Sequence, residues 1–265
     1  MYILIDIGGT KTRIAGSVDL ASFAEPIILD TPQGYDEAIA RISEAVIQIS
    51  GGIALRGAVA GYTRNYEKLP QWKGRHLQKD LSDALHTTVL AENDTALVGL
   101  GEAMYGAGKG AQICVYYTVS TGVNGVRIID GHIDTARIGF EVGGQYLGTG
   151  ETLNTLEDLV SGGAIHNRYA IHPRDLGKDN PLWEELARTL AIGIHNSILH
   201  WSPDMVVIGG SMMNEIGIPV PRVAAHVQTL MRKLPTIPPI AHSSLGDLGG
   251  LWGGMALLKS ARQEV

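Results

Sequence analysis

Glu92-Asn93-Asp94 lies between an apolar run and a stretch of small residues. A carboxylate placed there, Asp94, can take a proton from a hydroxyl as a general base. Far upstream, Asp6-Ile7-Gly8-Gly9-Thr10-Lys11-Thr12 closes the first apolar run of the chain. Gly8 and Gly9 keep side chains off a tight turn, so backbone N–H groups and the Thr10 and Thr12 hydroxyls can face phosphate oxygens. The spacing is not Gly-x-x-x-x-Gly-Lys, and a strand rather than a helix follows. Asp6, at the strand end, offers oxygen to Mg²⁺, through water. Lys11 either touches phosphate or stays solvated.

Thr121-Gly122 supplies a second turn of the same kind, able to clamp a polyphosphate from the other side. Asn93 carries an amide that both donates and accepts, which suits a sugar. Glu141, set among glycines in Gly139-Phe140-Glu141-Val142-Gly143-Gly144, can reach vicinal hydroxyls or simply be solvated. Glu157 opens a helical stretch and reads equally as substrate contact or as an acid favoured near a helix N-terminus. Each turn alone is also an ordinary hairpin, and Asp94 alone is also a helix cap. Together, a turn that handles ATP and a base that handles an alcohol predict a small-molecule kinase.

These residues need elements to position them. Strands are expected at Tyr2–Ile7, Lys11–Val18, Ile27–Asp30, Ala54–Ala60 and Thr87–Ala91. Helices are expected at Tyr35–Ile49, His76–Leu85 and Thr95–Tyr105. A second series repeats the plan. It has a strand at Ile113–Val119, a Gly/Thr turn over Ser120–Gly125, a strand at Val126–Ile129 and a hairpin turn at Asp130-Gly131. Long helices follow near Thr155–Ala170 and Pro181–Trp201, then a strand at Met205–Ile208 ending in Gly209-Gly210. A helix at Arg222–Lys233, a strand at Ile240–Ser243 and a closing helix at Gly250–Arg262 complete the chain. Hairpins that give way to alternating strands and helices, twice over, indicate an α/β protein of two related lobes. The break is expected near Gly106–Gly110, with the last helix crossing back to the first lobe.

The 265 residues, 45% hydrophobic and 18% charged, suffice for a sizeable core. A net charge of −6 without a Lys/Arg block argues against nucleic acid as a partner. A lone cysteine, Cys114, excludes a disulfide framework and a Cys-rich zinc site. The nine histidines show no metal-ligand spacing, and no Gly-x-Ser-x-Gly hydrolase signature occurs. No secretory leader and no membrane-length apolar run is seen, so a soluble, cytoplasmic protein is expected.

In this order, the motifs resemble the ROK family of bacterial-type glucokinases and related sugar kinases. The resemblance runs from Asp6–Thr12 through Leu69–Trp72, Glu92–Gly108, Ser120–Gly131, Glu141–Gly143, Leu156–Ile165 and Pro203–Gly210 to Leu245–Leu258. It implies a two-lobed, actin-like ATPase (RNase H-like) fold with the active site in the interlobe cleft. The small lobe would be residues 1–107 with 250–265, and the larger lobe residues 108–249. It also implies ATP and Mg²⁺ as cofactors and phosphoryl transfer to a sugar hydroxyl, the 6-hydroxyl of a hexose or N-acylhexosamine. Asp94 would be the base, Asn93, Glu141 and Glu157 the sugar contacts, and Gly209 and Gly210 neighbours of adenosine. The family's zinc-binding histidine and Cys-rich loop are missing. Gly144 stands at the histidine position, and Gln145–Thr152 is short and cysteine-free, so no zinc is expected. Some relatives are repressors, but the first strand begins at Tyr2, leaving no helix-turn-helix. A catalytically silent sugar-binding protein is the alternative. A homodimer is the default assembly.

Overall fold

The computed structural model describes residues 1–63, 69–136, 139–148 and 153–263. The chain divides into two compact units, Met1–Gly101 with Asp247–Val265, and Glu102–Gly246. The first passage between units thus lies a few residues before the glycine-rich stretch expected to mark the break.

The first unit carries β1 (Tyr2–Ile7), β2 (Lys11–Ser17), β3 (Ile27–Asp30), α1 (Tyr35–Ser50), β4 (Gly57–Tyr62), α2 (Leu77–Leu85), β5 (Val89–Asn93), the start of α3 (Asp94–Tyr105) and α8 (Gly249–Gln263). Its sheet runs β3-β2-β1-β4-β5. β1 and β2 form an antiparallel hairpin, while β1, β4 and β5 are parallel. The period of two sorts the side chains. Ile3, Ile5 and Ile7 join Ala38, Ile42 and Val46 of α1 and Leu77 and Leu81 of α2 in one core. Leu4 and Val59 point the other way, onto Gly254 of α8. Asp6 shares their parity, so its carboxylate emerges on the α8 side. α1 forms where the apolar spacing predicts, with Asp36 and Glu37 in its first turn. It stops at Gly51, whose left-handed backbone returns an N–H to Ile47 O.

The second unit carries β6 (Ile113–Val119), β7 (Val123–Ile129), β8 (His132–Ile133), β9 (Tyr146–Leu147), β10 (Asn154–Thr155), α4 (Leu156–Val160), α5 (Gly162–Tyr169), α6 (Leu182–Trp201), β11 (Met205–Gly209), α7 (Val220–Leu230) and β12 (Ile240–His242). Its main sheet, β8-β7-β6-β11-β12, repeats the first: two antiparallel steps, then two parallel ones. β9 and β10 form a separate two-stranded ribbon. The core gathers Val115, Tyr117 and Val119 of β6 with Leu190, Ile194 and Ile198 of α6.

Two expectations are corrected. The turn expected over Ser120–Gly125 is shorter, because β7 begins at Val123, paired with Val119. The single helix expected near Thr155–Ala170 is two. Ser161 adopts an extended ψ of 155° and accepts Ala164 N–H on its hydroxyl, ending α4 and capping α5. Part of the Gly/Tyr/Arg/Asn-rich loop after β4, and the far end of Gln145–Thr152, lie outside the described residues.

Glu102 is fully buried. Its carboxylate accepts the backbone N–H groups of Ala107, Ser244 and Leu245, each at 2.8 Å. Among the described residues no helix is long and apolar enough to cross a membrane.

Candidate active site

In the first unit the site begins where β1 ends. Asp6 is paired in register with Arg13 of β2 and Gly61 of β4. A Cβ on Gly250, at the start of α8, would lie 2.6 Å from the Asp6 carboxyl carbon. Only glycine there leaves room for the carboxylate. Protein crowds Asp6 on most sides, and this desolvation pushes its pKa from the ordinary 3.8 to about 7. Asp94 and Asp247 add to the rise, while Arg13 opposes it. Arg13 in turn donates to Asp247 at 2.6 Å.

The Gly8-Gly9 turn is closed by Gly8 N–H to Lys11 O at 3.0 Å and braced from β3's far end by Thr31. Thr31 donates its N–H to Thr10 O at 2.9 Å and its hydroxyl to Gly8 O at 2.8 Å. Thr10 is exposed, as a phosphate ligand must be. Thr12 is not. Its side chain is 1% exposed, and its hydroxyl pairs with that of Thr31 at 2.9 Å. It sits opposite Ile7 with inward parity, which removes it as a hydroxyl ligand for phosphate. Lys11 is exposed and bonded to Asp30 at 2.6 Å.

β5 runs straight into α3, and its last residue caps the helix. Asn93 Oδ1 accepts Ala96 N–H at 3.2 Å, which leaves the Nδ2 side of the amide for a ligand. Glu92 Oε1 accepts Asn93 N–H at 2.7 Å and holds the bend. Asp94 is therefore not the cap. Its Oδ1 takes Thr95 N–H at 2.7 Å, and desolvation still pushes its carboxyl above the ordinary range. β4 pairs with both β1 and β5 in parallel register, Asp6 to Gly61 and Gly61 to Glu92, so Asp6 and Asp94 lie at the same end of the sheet.

In the second unit the β6–β7 turn carries Thr121 and Gly122. Ser120 O and Thr121 O accept the N–H groups of Gly162 and Gly163, at 2.7 and 3.0 Å, from the start of α5. Glu157 reaches the same turn: its Oε2 accepts Val123 N–H at 2.7 Å and lies 2.6 Å from where a Gly122 Cβ would be. Thr155 and Asp158 form a capping box that starts α4 at Leu156 and so sets Glu157 in its first turn. Glu141 is exposed and precedes a short 3₁₀ turn over Val142–Gly144. A Cβ on Gly143 would be 2.1 Å from Val123 O, so this turn lies flat on the start of β7. Gly144 is open, with nothing within 4 Å of a Cβ there. Gly209 and Gly210 end β11 beside the same turn. Gly210, at φ 99°, would place a Cβ 2.3 Å from Val119 O.

Each unit thus gathers its own share of the expected residues: Asp6, Gly8–Lys11, Asn93 and Asp94 in the first, and Thr121, Gly122, Glu141, Glu157, Gly209 and Gly210 in the second. Sequence reasoning missed Arg13, Gly61 and Gly250. Arg13 could have been found by counting back across the short hairpin, which sets it opposite Asp6. Gly61 and Gly250 leave no local signal, since their role depends on Asp6. Among the described residues no group of three or more His, Cys, Asp or Glu side chains gathers to hold a metal ion.

Known proteins resemble this chain along most of its length. A fructokinase of Pediococcus pentosaceus is 26% identical over 204 residues, covering 72% of this chain and 69% of that protein. The ROK hexokinase of Thermus thermophilus superimposes with a TM-score of 0.82 at 24% identity, over 98% of this chain and 99% of that one. A ROK family glucokinase of Streptomyces griseus, solved with glucose and AMPPNP, gives a TM-score of 0.77 at 20% identity over 97% and 98%. These likenesses establish the actin-like ATPase fold. The ROK family profile matches residues 2–261, and the chain belongs to that family.

Proposed function

We propose that this chain is an ATP-dependent carbohydrate kinase. It transfers the γ-phosphoryl group to a sugar hydroxyl, the 6-hydroxyl of a hexose or N-acylhexosamine. Asp94 takes the hydroxyl proton, the oxygen attacks the γ-phosphorus, and the bond to the β-phosphate oxygen breaks to release ADP. The carrying observation is Asp94 itself. It is a desolvated carboxylate at a helix N-terminus, relieved of capping by Asn93 and more basic than an exposed aspartate.

The first unit contributes Asp94, the Asn93 amide and the turn of Gly8, Gly9, Thr10 and Lys11. The second contributes Glu141 and Glu157 to the sugar, Thr121 and Gly122 to phosphate, and Gly209-Gly210 to adenosine. Asp6 fits Mg²⁺. It is an oxygen donor walled by glycines, and its raised pKa marks a site that a nearby positive charge would relieve. A bound Mg²⁺ supplies neutralisation of phosphate charge.

The test is a coupled ADP-release assay with Mg-ATP against glucose, mannose, fructose, allose, N-acetylglucosamine and N-acetylmannosamine. Turnover on at least one sugar is expected. Asp94→Asn should lower kcat at least ~10²-fold with an unchanged unfolding midpoint. Full activity in that variant would remove Asp94 as the base. Saturable sugar binding with no turnover would favour a silent binding protein, a reading that rests on the bare position at Gly144.

A further inference from the structure

Glu141 and Glu157 are separated in sequence, and neither is on a long rigid element. Glu141 precedes a single 3₁₀ turn, and Glu157 begins the five-residue α4. Both can hold a sugar accurately only if something ties those two short pieces together.

Gln145 does this with both ends of its side chain and with its backbone. Its Nε2 donates to Val142 O at 2.9 Å, closing the turn that carries Glu141. Its Oε1 accepts Asn196 Nδ2 at 3.0 Å, pinning the turn to α6, a helix of 20 residues. Its backbone oxygen accepts Leu156 N–H at 2.9 Å, one residue before Glu157. α6 makes room for this: a Cβ on Gly193 would be 3.2 Å from Gln145 Nε2 and 2.5 Å from Leu156 Cδ2. Beneath lies fully buried Tyr117, whose hydroxyl bonds Ser197 Oγ at 2.6 Å and Gly193 O at 3.2 Å. The side-chain amide therefore stands at the junction of three pieces, with its donor and acceptor both engaged.

We infer that Gln145 is a positioning residue for the sugar, holding Glu141 and Glu157 in one frame fixed to α6 through Asn196. This rests on the reading of those glutamates as sugar contacts.

The test uses the whole protein and Gln145→Met, which keeps length and removes both hydrogen bonds. With the sugar accepted in the panel above, its KM should rise ~10-fold, as for the loss of two half-buried hydrogen bonds, with kcat and the KM for Mg-ATP changing less. Asn196→Ala should reproduce part of the effect, and the double variant should be no worse than Gln145→Met alone, because the two residues share one interaction. Gln145→Glu keeps the acceptor for Asn196 and should recover part of the sugar affinity. A folded Gln145→Met protein with unchanged sugar KM would overturn the inference, as would a loss of thermal stability without any sugar effect. Glu141→Gln, measured in parallel, separates the two readings: if it leaves sugar KM unchanged, the assignment of Glu141 falls instead. Should no sugar turn over, amide exchange over residues 141–145 and 154–160 decides. It should quicken together in Gln145→Met, and unchanged protection overturns the frame.

Discussion

Asp6 is a half-buried carboxylate in the proposed Mg²⁺ site. Between its ordinary pKa of 3.8 and its folded value of about 7, the folded protein keeps a proton that the unfolded chain has lost. Stability therefore falls as pH rises through that window and levels off above it. In the presence of a chelator, urea midpoints should decline from about pH 4 to about pH 7 and level off above, and Asp6→Asn should flatten that slope. Parallel slopes in the two proteins would show that Asp6 is not the group responsible. At this scale the places of Asp6, the glycine pair and Asp94 in the fold were legible in the sequence, because they punctuate apolar runs and punctuation is local. Thr12 was misread because its hydroxyl is set by strand parity, and Thr31, its partner, lies 19 residues away. The cap was read only as an alternative role for Asp94, whereas the bond from Ala96 N–H gives it to Asn93.

Elements were legible where the apolar period is long. β1, β3 and β6 begin and end where expected, and α1 differs by one residue. The failure at α4 and α5 has a physical source. Thr155, Asp158 and Ser161 carry their own caps, and two caps within one helical stretch mean two helices. The packing of α8 on α3 was invisible, because glycines give no pattern until their neighbours are known. A Cβ on Gly253 would sit 1.7 Å from Leu97 O, and one on Gly101 would sit 2.5 Å from Gly249 O. These helices touch backbone to backbone. Gly253→Ala should therefore destabilise the protein by about 3 kcal/mol or more, at the severe end of overpacking, despite its better helix propensity. A urea midpoint at or above that of the parent would mean that the helices separate without penalty.

At the scale of the whole molecule, the duplicated sheet plan was legible as a repeated strand, turn and strand. The fixing of the chain passages was not. Glu102 is the first residue of the second unit, and Ser244 and Leu245 are near its last. Its buried carboxylate binds both passages through backbone N–H groups, with no sequence motif to announce it. Glu102→Ala would leave three half-buried backbone N–H groups without their acceptor and should cost about 3 kcal/mol. Glu102→Gln, which keeps an acceptor, should cost less. Equal losses in a denaturation series would point to packing rather than to the carboxylate.

The discontinuity of the first unit also has a consequence in time. Its sheet leaves the ribosome early, but α8 follows only after the whole second unit has been made. Until then Leu4 and Val59 lack their cover, and Asp6 lacks the wall that Gly250 provides. A nascent chain halted before Asp247 can complete the second unit but not the proposed phosphate site of the first. In such a chain, protease should cut residues 1–101 readily while sparing 102–246, and release of the last segment should protect both.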